Sequence, residues 1–270
     1  MRVVAGFIVV LIGFHYAIMH LHQAYASYWD FVAFSVVWAG TLAVSIITLP
    51  RMSKRVVGKE LATSILRRKT SRPVFIKRCC EAISKKEKDI QLVGQESLKS
   101  EYQILREGFE LTSLGFDKLK VREILEDRIY NNRARVLSIA NWIIGLAKYP
   151  PAFGLSGTVL GLIHLMRGIS DGMSPKETGI RMAIALVATF YGLIIANVLV
   201  GPVGESVSQD AKERTELSEI ALEAVMLNYD GANLLEAQER LNSYVDPSER
   251  VNLIESFAFQ VSREEGEVAA

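Results

Sequence analysis

The chain has 270 residues, 50% of them hydrophobic, and its 31 Lys and Arg nearly balance 30 Asp and Glu, for a formal net charge of +1. That balance excludes the basic footprint of a nucleic-acid binder, so no nucleic acid is expected among its partners. The averages conceal a strong segregation of apolar and charged residues along the chain.

Four apolar runs, at about 3–21, 31–49, 143–166 and 180–203, interrupt an otherwise charged sequence. Each is close to the ~20 residues that carry a helix across a bilayer, which predicts four membrane spans. The first run follows Arg2, exceeds the usual length of a signal-peptide core and lacks an A-x-A-like site, so it is read as a retained helix. Between positions 51 and 78 stand ten Lys or Arg and one acid, Glu60. The positive-inside rule places this loop in the cytoplasm, and with four spans both termini join it there. The same basic density attracts anionic lipid headgroups. Outer loops are expected at about 22–30 and 167–179. The resulting plan is all-α and polytopic: residues 1–50 hold the first two transmembrane helices, 51–142 a cytoplasmic helical loop, 143–203 the second two helices, and 204–270 a cytoplasmic helical tail.

From Glu96 the loop reads as helix. "ESLKSEYQILREGFELTSLG" ends in a glycine suited to a helix stop, and the next helix opens with Asp117 as N-cap. In that second helix Val121, Ile124, Leu125 and Ile129 recur at helical spacing. The tail gives two helical runs split by Asp230 and Gly231. Cys79 and Cys80, the two cysteines, are adjacent and cytoplasmic, where thiols stay reduced; packing is their expected role.

The third and fourth runs give up side-chain bulk along one side. Gly154, Thr158 and Gly161 form a stripe in "GLSGTVLGLIHLM", with Gly157 beside it, and Ala185, Thr189, Gly192 and Ala196 form a second. Such stripes permit close helix packing within or between subunits, and their hydroxyls can bond a carbonyl, a partner side chain or a passing water. Apart from Lys148 near the start of the third run and Arg181 at the start of the fourth, neither run contains an Asp, Glu, Lys or Arg, the groups that relay ions at membrane depth. An acid for ion conduction would have to come from a partner. His164 stands near an outer end, where a structural hydrogen bond is expected. No nucleophile and base pair, phosphate-cradling loop or metal-ligand cluster is legible, so neither catalysis nor a cofactor is expected.

"REGFELTSLGFDKLKVREILEDRI", "PPAFGLSGTVLGLIHLM" and "MAIALVATFYGLIIANVLVGPV" together resemble the flagellar stator subunits of the MotA/TolQ/ExbB proton channel family. The resemblance implies an inner-membrane homopentamer around a MotB-like single-span partner whose membrane Asp carries the ion. It implies an ion path lined by Thr158, Thr189, Ala188, Gly154, Gly161, Ala185 and Gly192, and prolines Pro151 and Pro202 that couple ion passage to movement. It also implies a FliG-like rotor partner, met by charges in the loop; Lys88 and Glu96 stand at the family's spacing, and an alternative alignment selects Lys85 or Lys86. The transported ion is expected to be the proton, with sodium as the alternative, because Ala188 replaces a second threonine of sodium-driven relatives. Two other readings stand beside the stator: an ExbB- or TolQ-like energiser of envelope transport, and a non-conducting oligomeric scaffold.

Overall fold

The structure, a computed structural model, describes residues 2–20, 30–66, 70–84 and 100–252, and every regular element among them is helical. In chain order these are α1 (Arg2–His20), α2 (Phe31–Ile47), α3 (Lys54–Leu66), α4 (Arg72–Ser84), α5 (Ser100–Ser113), α6 (Lys118–Leu146), α7 (Tyr149–Ser170) and α8 (Pro175–Ile194). A π-helix (Ile195–Val200), α9 (Gly201–Tyr229), α10 (Leu234–Asn242) and a 3₁₀ turn (Pro247–Glu249) complete the described chain. It divides into two compact units, one of Met1–Arg67 with Val136–Asp210 and one of Arg68–Arg135 with Ala211–Ala270.

In the first unit α7 and α8 pack along their lengths and α2 lies against both. Asp30 caps α2 by accepting from the Ala33 N–H at 2.7 Å. The Asp30 amide in turn donates to the Tyr191 hydroxyl at 3.1 Å, and Phe34 meets the Tyr191 ring edge-on at 5.9 Å. These contacts fix the start of α2 on α8. The outward faces stay apolar: Val9 and Ile12 of α1, Leu155 and Leu160 of α7, and Leu186 of α8 are all exposed. Among the described residues, two helical stretches are long and apolar enough to cross a membrane, Lys118–Ser170 and Pro175–Tyr229, while Gly6–His20 and Phe31–Ile47 are shorter apolar helices.

Two expected boundaries move. The run 143–166 is not one element: α6 ends at Leu146 and α7 begins at Tyr149, because Pro150 and Pro151 lack the N–H groups that would continue the ladder and disfavour helix just before them. The expected outer loop 167–179 shrinks to a four-residue turn between Ser170 and Pro175. There Ser174 and Glu177 form a reciprocal capping box that starts α8 early.

The second unit is built on one apolar core. Phe75, Ile76, Cys79 and Cys80 of α4 meet Tyr102, Leu105 and Phe109 of α5, Val121 and Leu125 of α6, Ile220 and Val225 of α9, and Leu241 of α10. The Phe75 and Tyr102 rings pack edge-on at 5.0 Å. Gly108 brings α5 onto the side chains of Val225 and Leu125, where any added carbon would collide. Asp117 begins α6 as expected, accepting from the Leu119 N–H at 3.2 Å. The stops at Gly115 and Gly231 both adopt positive φ, 78° and 69°, the conformation in which glycine closes a helix. Lys118 bridges the two turns through the Asp230 carboxylate at 2.6 Å. The helices α3 and α4 were hidden in the sequence by basic residues that speak first for topology.

Both cysteines are fully buried. Burial pushes the Cys79 thiol well above its ordinary value of 9.0, with Cys80 adding to it, and burial followed by the Glu81 carboxylate raises Cys80 to about 11. Folded and unfolded chains therefore hold these protons equally below about pH 9. Above it the unfolded thiols ionise first, so stability falls as pH climbs towards 11. Thermal unfolding of the detergent-purified protein at pH 8 and pH 10 is expected to show this loss, diminished in the double variant C79A/C80A. Maleimide labelling at pH 8 is expected to be slow until the chain unfolds.

Candidate functional site: the α7 and α8 contact

The two small-residue stripes meet each other. A carbon added to Gly161 would lie 2.7 Å from Ala185 Cβ, one on Gly157 2.8 Å from Ala188 Cβ, and one on Gly154 2.8 Å from the Ala188 carbonyl oxygen. Gly192 sits against the Pro150 carbonyl, with Pro151 Cα 3.0 Å from where its side chain would begin. Gly154, Ala185 and Ala188 are accordingly buried. The missing side chains let two backbones approach within one chain, where dispersion across the close contact holds the helix pair together.

Between these contacts lies one polar spot. Thr158 Oγ1 stands 3.1 Å from the Gly154 carbonyl, 3.1 Å from the Ala185 carbonyl and 2.5 Å from Thr189 Oγ1. A hydroxyl has one hydrogen, so Thr158 donates to one neighbour and accepts through its lone pairs. Both threonines are half-buried. No Asp, Glu, Lys, Arg or His occurs in 149–163 or 182–190, so the pair faces no charge from its own two helix segments. Such a site has hydroxyls to offer a carboxylate or a water and nothing with which to relay an ion alone.

Pro151 occupies the first turn of α7, where its absent N–H would have had no helical partner. Pro202 occupies a different setting. It follows a six-residue π-helix in which the Gly201 N–H reaches back to the Ala196 carbonyl, and Asn197 Nδ2 donates to the Leu193 carbonyl at 3.0 Å. A proline ring clashes with the carbonyl four residues earlier, and the wider π turn relieves that crowding. Sequence reasoning placed both prolines at helix ends and missed the π turn; its signal was a proline inside an apolar run that continues without a break into a charged helix. His164 forms a hydrogen-bonded pair with Arg181 through Nε2 at 2.5 Å. Lys85, Lys86, Lys88 and Glu96 lie outside the described residues.

Fold and site together define an all-helical chain with an apolar helix pair closed by glycine contacts around a hydroxyl pair. Residues 96–220 match the model of the MotA/TolQ/ExbB proton channel family. Motility protein A of Borreliella burgdorferi is 32% identical over 107 residues, 40% of each chain, and Motility protein A of Treponema phagedenis is 28% identical over 165 residues, 59% of this chain and 62% of the relative. The chain thus aligns with less than two thirds of the length of either relative. The fold is similar to that of a chain in the flagellar MotAB stator complex from Bacillus subtilis, with a TM-score of 0.77 at 20% identity over 92% of this chain and 96% of the other.

Proposed function

We propose that the chain is the MotA-like subunit of an ion-driven flagellar stator, acting as a channel component and not as an enzyme. In this reading four spans cross the inner membrane with both termini in the cytoplasm. Five copies surround a MotB-like partner, and the cytoplasmic helices meet a FliG-like rotor protein through charges that include Lys85, Lys86, Lys88 and Glu96.

The Thr158 and Thr189 pair carries the reading. It lies within the family-matched segment, on two helices whose facing residues hold no acid. The partner's aspartate supplies the missing charge. Each hydroxyl exchanges its bond to the other threonine for one to that carboxylate or its water, which is how a site without a carboxylate serves ion transfer. Gly154, Gly161, Ala185, Ala188 and Gly192 form the packed wall beside it. One hydroxyl fewer at Ala188 favours the proton over sodium, because sodium must exchange its hydration for several oxygen ligands.

Valine keeps the shape of threonine and removes its hydroxyl. Thr158→Val and Thr189→Val are expected to reduce swimming at least tenfold with normal protein level in cells carrying the partner. Undiminished swimming in both would overturn this reading of the pair. In unaltered cells, replacing sodium by potassium at fixed pH is expected to leave swimming speed unchanged; arrest without sodium reverses the ion assignment.

A further inference from the structure

The exposed face of α3 is basic and unmatched. Lys54, Arg55 and Lys59 share that face with Gly58 and Ala62, and Arg51 is exposed one residue past Pro50. The opposite face is apolar or inward: Val57 is buried, and Val56, Glu60 and Leu61 are half-buried. Among the described residues none of the four cations has an ion pair or hydrogen bond. A face that only dissolves in water carries charges of both signs, each helping to pair the other. This one carries a single sign, and the small Gly58, with open space around its Cα, lies among the cations.

Its place in the chain supplies a second observation. Ile46 and Ile47 at the end of α2 are 73% and 80% exposed, and the exposed cations begin four residues later. At that boundary Trp142 Nε1 donates to Thr48 Oγ1 at 3.1 Å, an indole with an apolar body and a bonded polar edge, as tryptophans stand at headgroup level. The passage from lipid-facing apolar residues to open basic ones therefore coincides with a bilayer boundary.

We propose that Arg51, Lys54, Arg55 and Lys59 form a docking surface for anionic glycerophospholipid headgroups of the inner leaflet. The inference rests on the membrane topology proposed above. Lys and Arg meet the negative leaflet as cations on flexible stems, and Gly58 and Ala62 leave room for a phosphate between them. The attraction weakens with ionic strength, because these charges are open to solvent.

The assembly purified with its partner in neutral detergent tests this, with phosphatidylglycerol, phosphatidylcholine or inorganic phosphate added and both thermal unfolding and retained lipid measured. Phosphatidylglycerol is expected to raise the unfolding temperature and to be retained, while phosphatidylcholine and phosphate do neither. Each cation removed is expected to weaken retention about fivefold, so R51Q/K54Q/R55Q/K59Q loses it by well over tenfold. The charge-preserving R51K/K54R/R55K/K59R keeps it, and K120Q/K212Q, on other helices, leaves it unchanged. If the quadruple neutral variant does not fold, the graded loss is read from K54Q and K59Q singly. Equal retention by neutralised and original proteins, or an equal response to phosphatidylcholine, overturns the proposal. A response to inorganic phosphate alone also overturns it, by assigning the surface to a soluble anion. Swimming judges the stator reading separately, since lipid retention is read on purified protein whether or not the cells swim.

Discussion

Replacing Gly192 with leucine is expected to abolish swimming and to lower the amount of assembled protein severely. The added side chain would begin inside the space of the Pro150 carbonyl and close to Pro151 Cα, which are backbone atoms at the rigid start of α7. Overpacking in a well-ordered interior costs on the order of 1–3 kcal/mol even where side chains can rotate away, and here the obstruction is main chain. Relief requires α7 and α8 to separate, which also parts Thr158 from Thr189. Gly145→Ala is the control, because an added carbon there meets nothing within 4 Å. Immunoblot of membranes, swimming assay and mass measurement of the purified assembly are the readouts. Normal assembly of Gly192→Leu would show that the contact of α7 with α8 is looser than the structure has it.

Pro202→Ala is expected to reduce torque at least tenfold while leaving protein level close to normal, an effect larger than that of Pro151→Ala. The alanine restores an N–H and removes the ring that opposes the preceding turn, so the π-helix at Ile195–Val200 is free to tighten into α-helix. Loss of the ring itself costs no stability, because proline inside a helix is the less favourable residue by about 3 kcal/mol, which offsets the packing lost as the turn tightens. At Pro151 the same change regains no helical hydrogen bond, since the position lies in the first turn. Tethered-cell rotation with parallel immunoblots separates the two effects. Equal, normal rotation in both variants would reduce the prolines to helix punctuation.

The helices of the second unit were legible where local chemistry and tertiary packing agree. Asp117 caps α6 and Gly231 closes α9 as the sequence indicates, because both act through their own backbone neighbourhood. The α4 helix was missed, since its buried residues Phe75, Ile76, Cys79 and Cys80 are interleaved with Lys77 and Arg78 and gain meaning only against α5 and α9. At the site, the stripes and the two threonines were visible as a spacing. That Thr158 and Thr189 face each other depends on the register between α7 and α8, set by Gly154 against Ala188 and Gly161 against Ala185. Periodicity along one helix carries no information about that register.

The π-helix also alters a piece of arithmetic. Gly192 and Gly204 are twelve residues apart, and both give close approach to the chain that leads into and begins α7: Gly192 to Pro150, Gly204 to Ile143 and Ile144. In an uninterrupted α-helix at about 100° per residue, twelve residues place them about 120° out of phase. A wide turn that absorbs one residue makes the separation count as eleven, and the mismatch falls to about 20°. The bulge thus works as a phase corrector that lets two glycines a dozen residues apart address neighbouring stretches of one line. A chain with one residue fewer between 195 and 200 would run straight and keep both glycines aligned, whereas one residue more would turn Gly204 away from Ile144. Length variation at this point of the helix is therefore asymmetric: removal of a residue is absorbed, and addition is not.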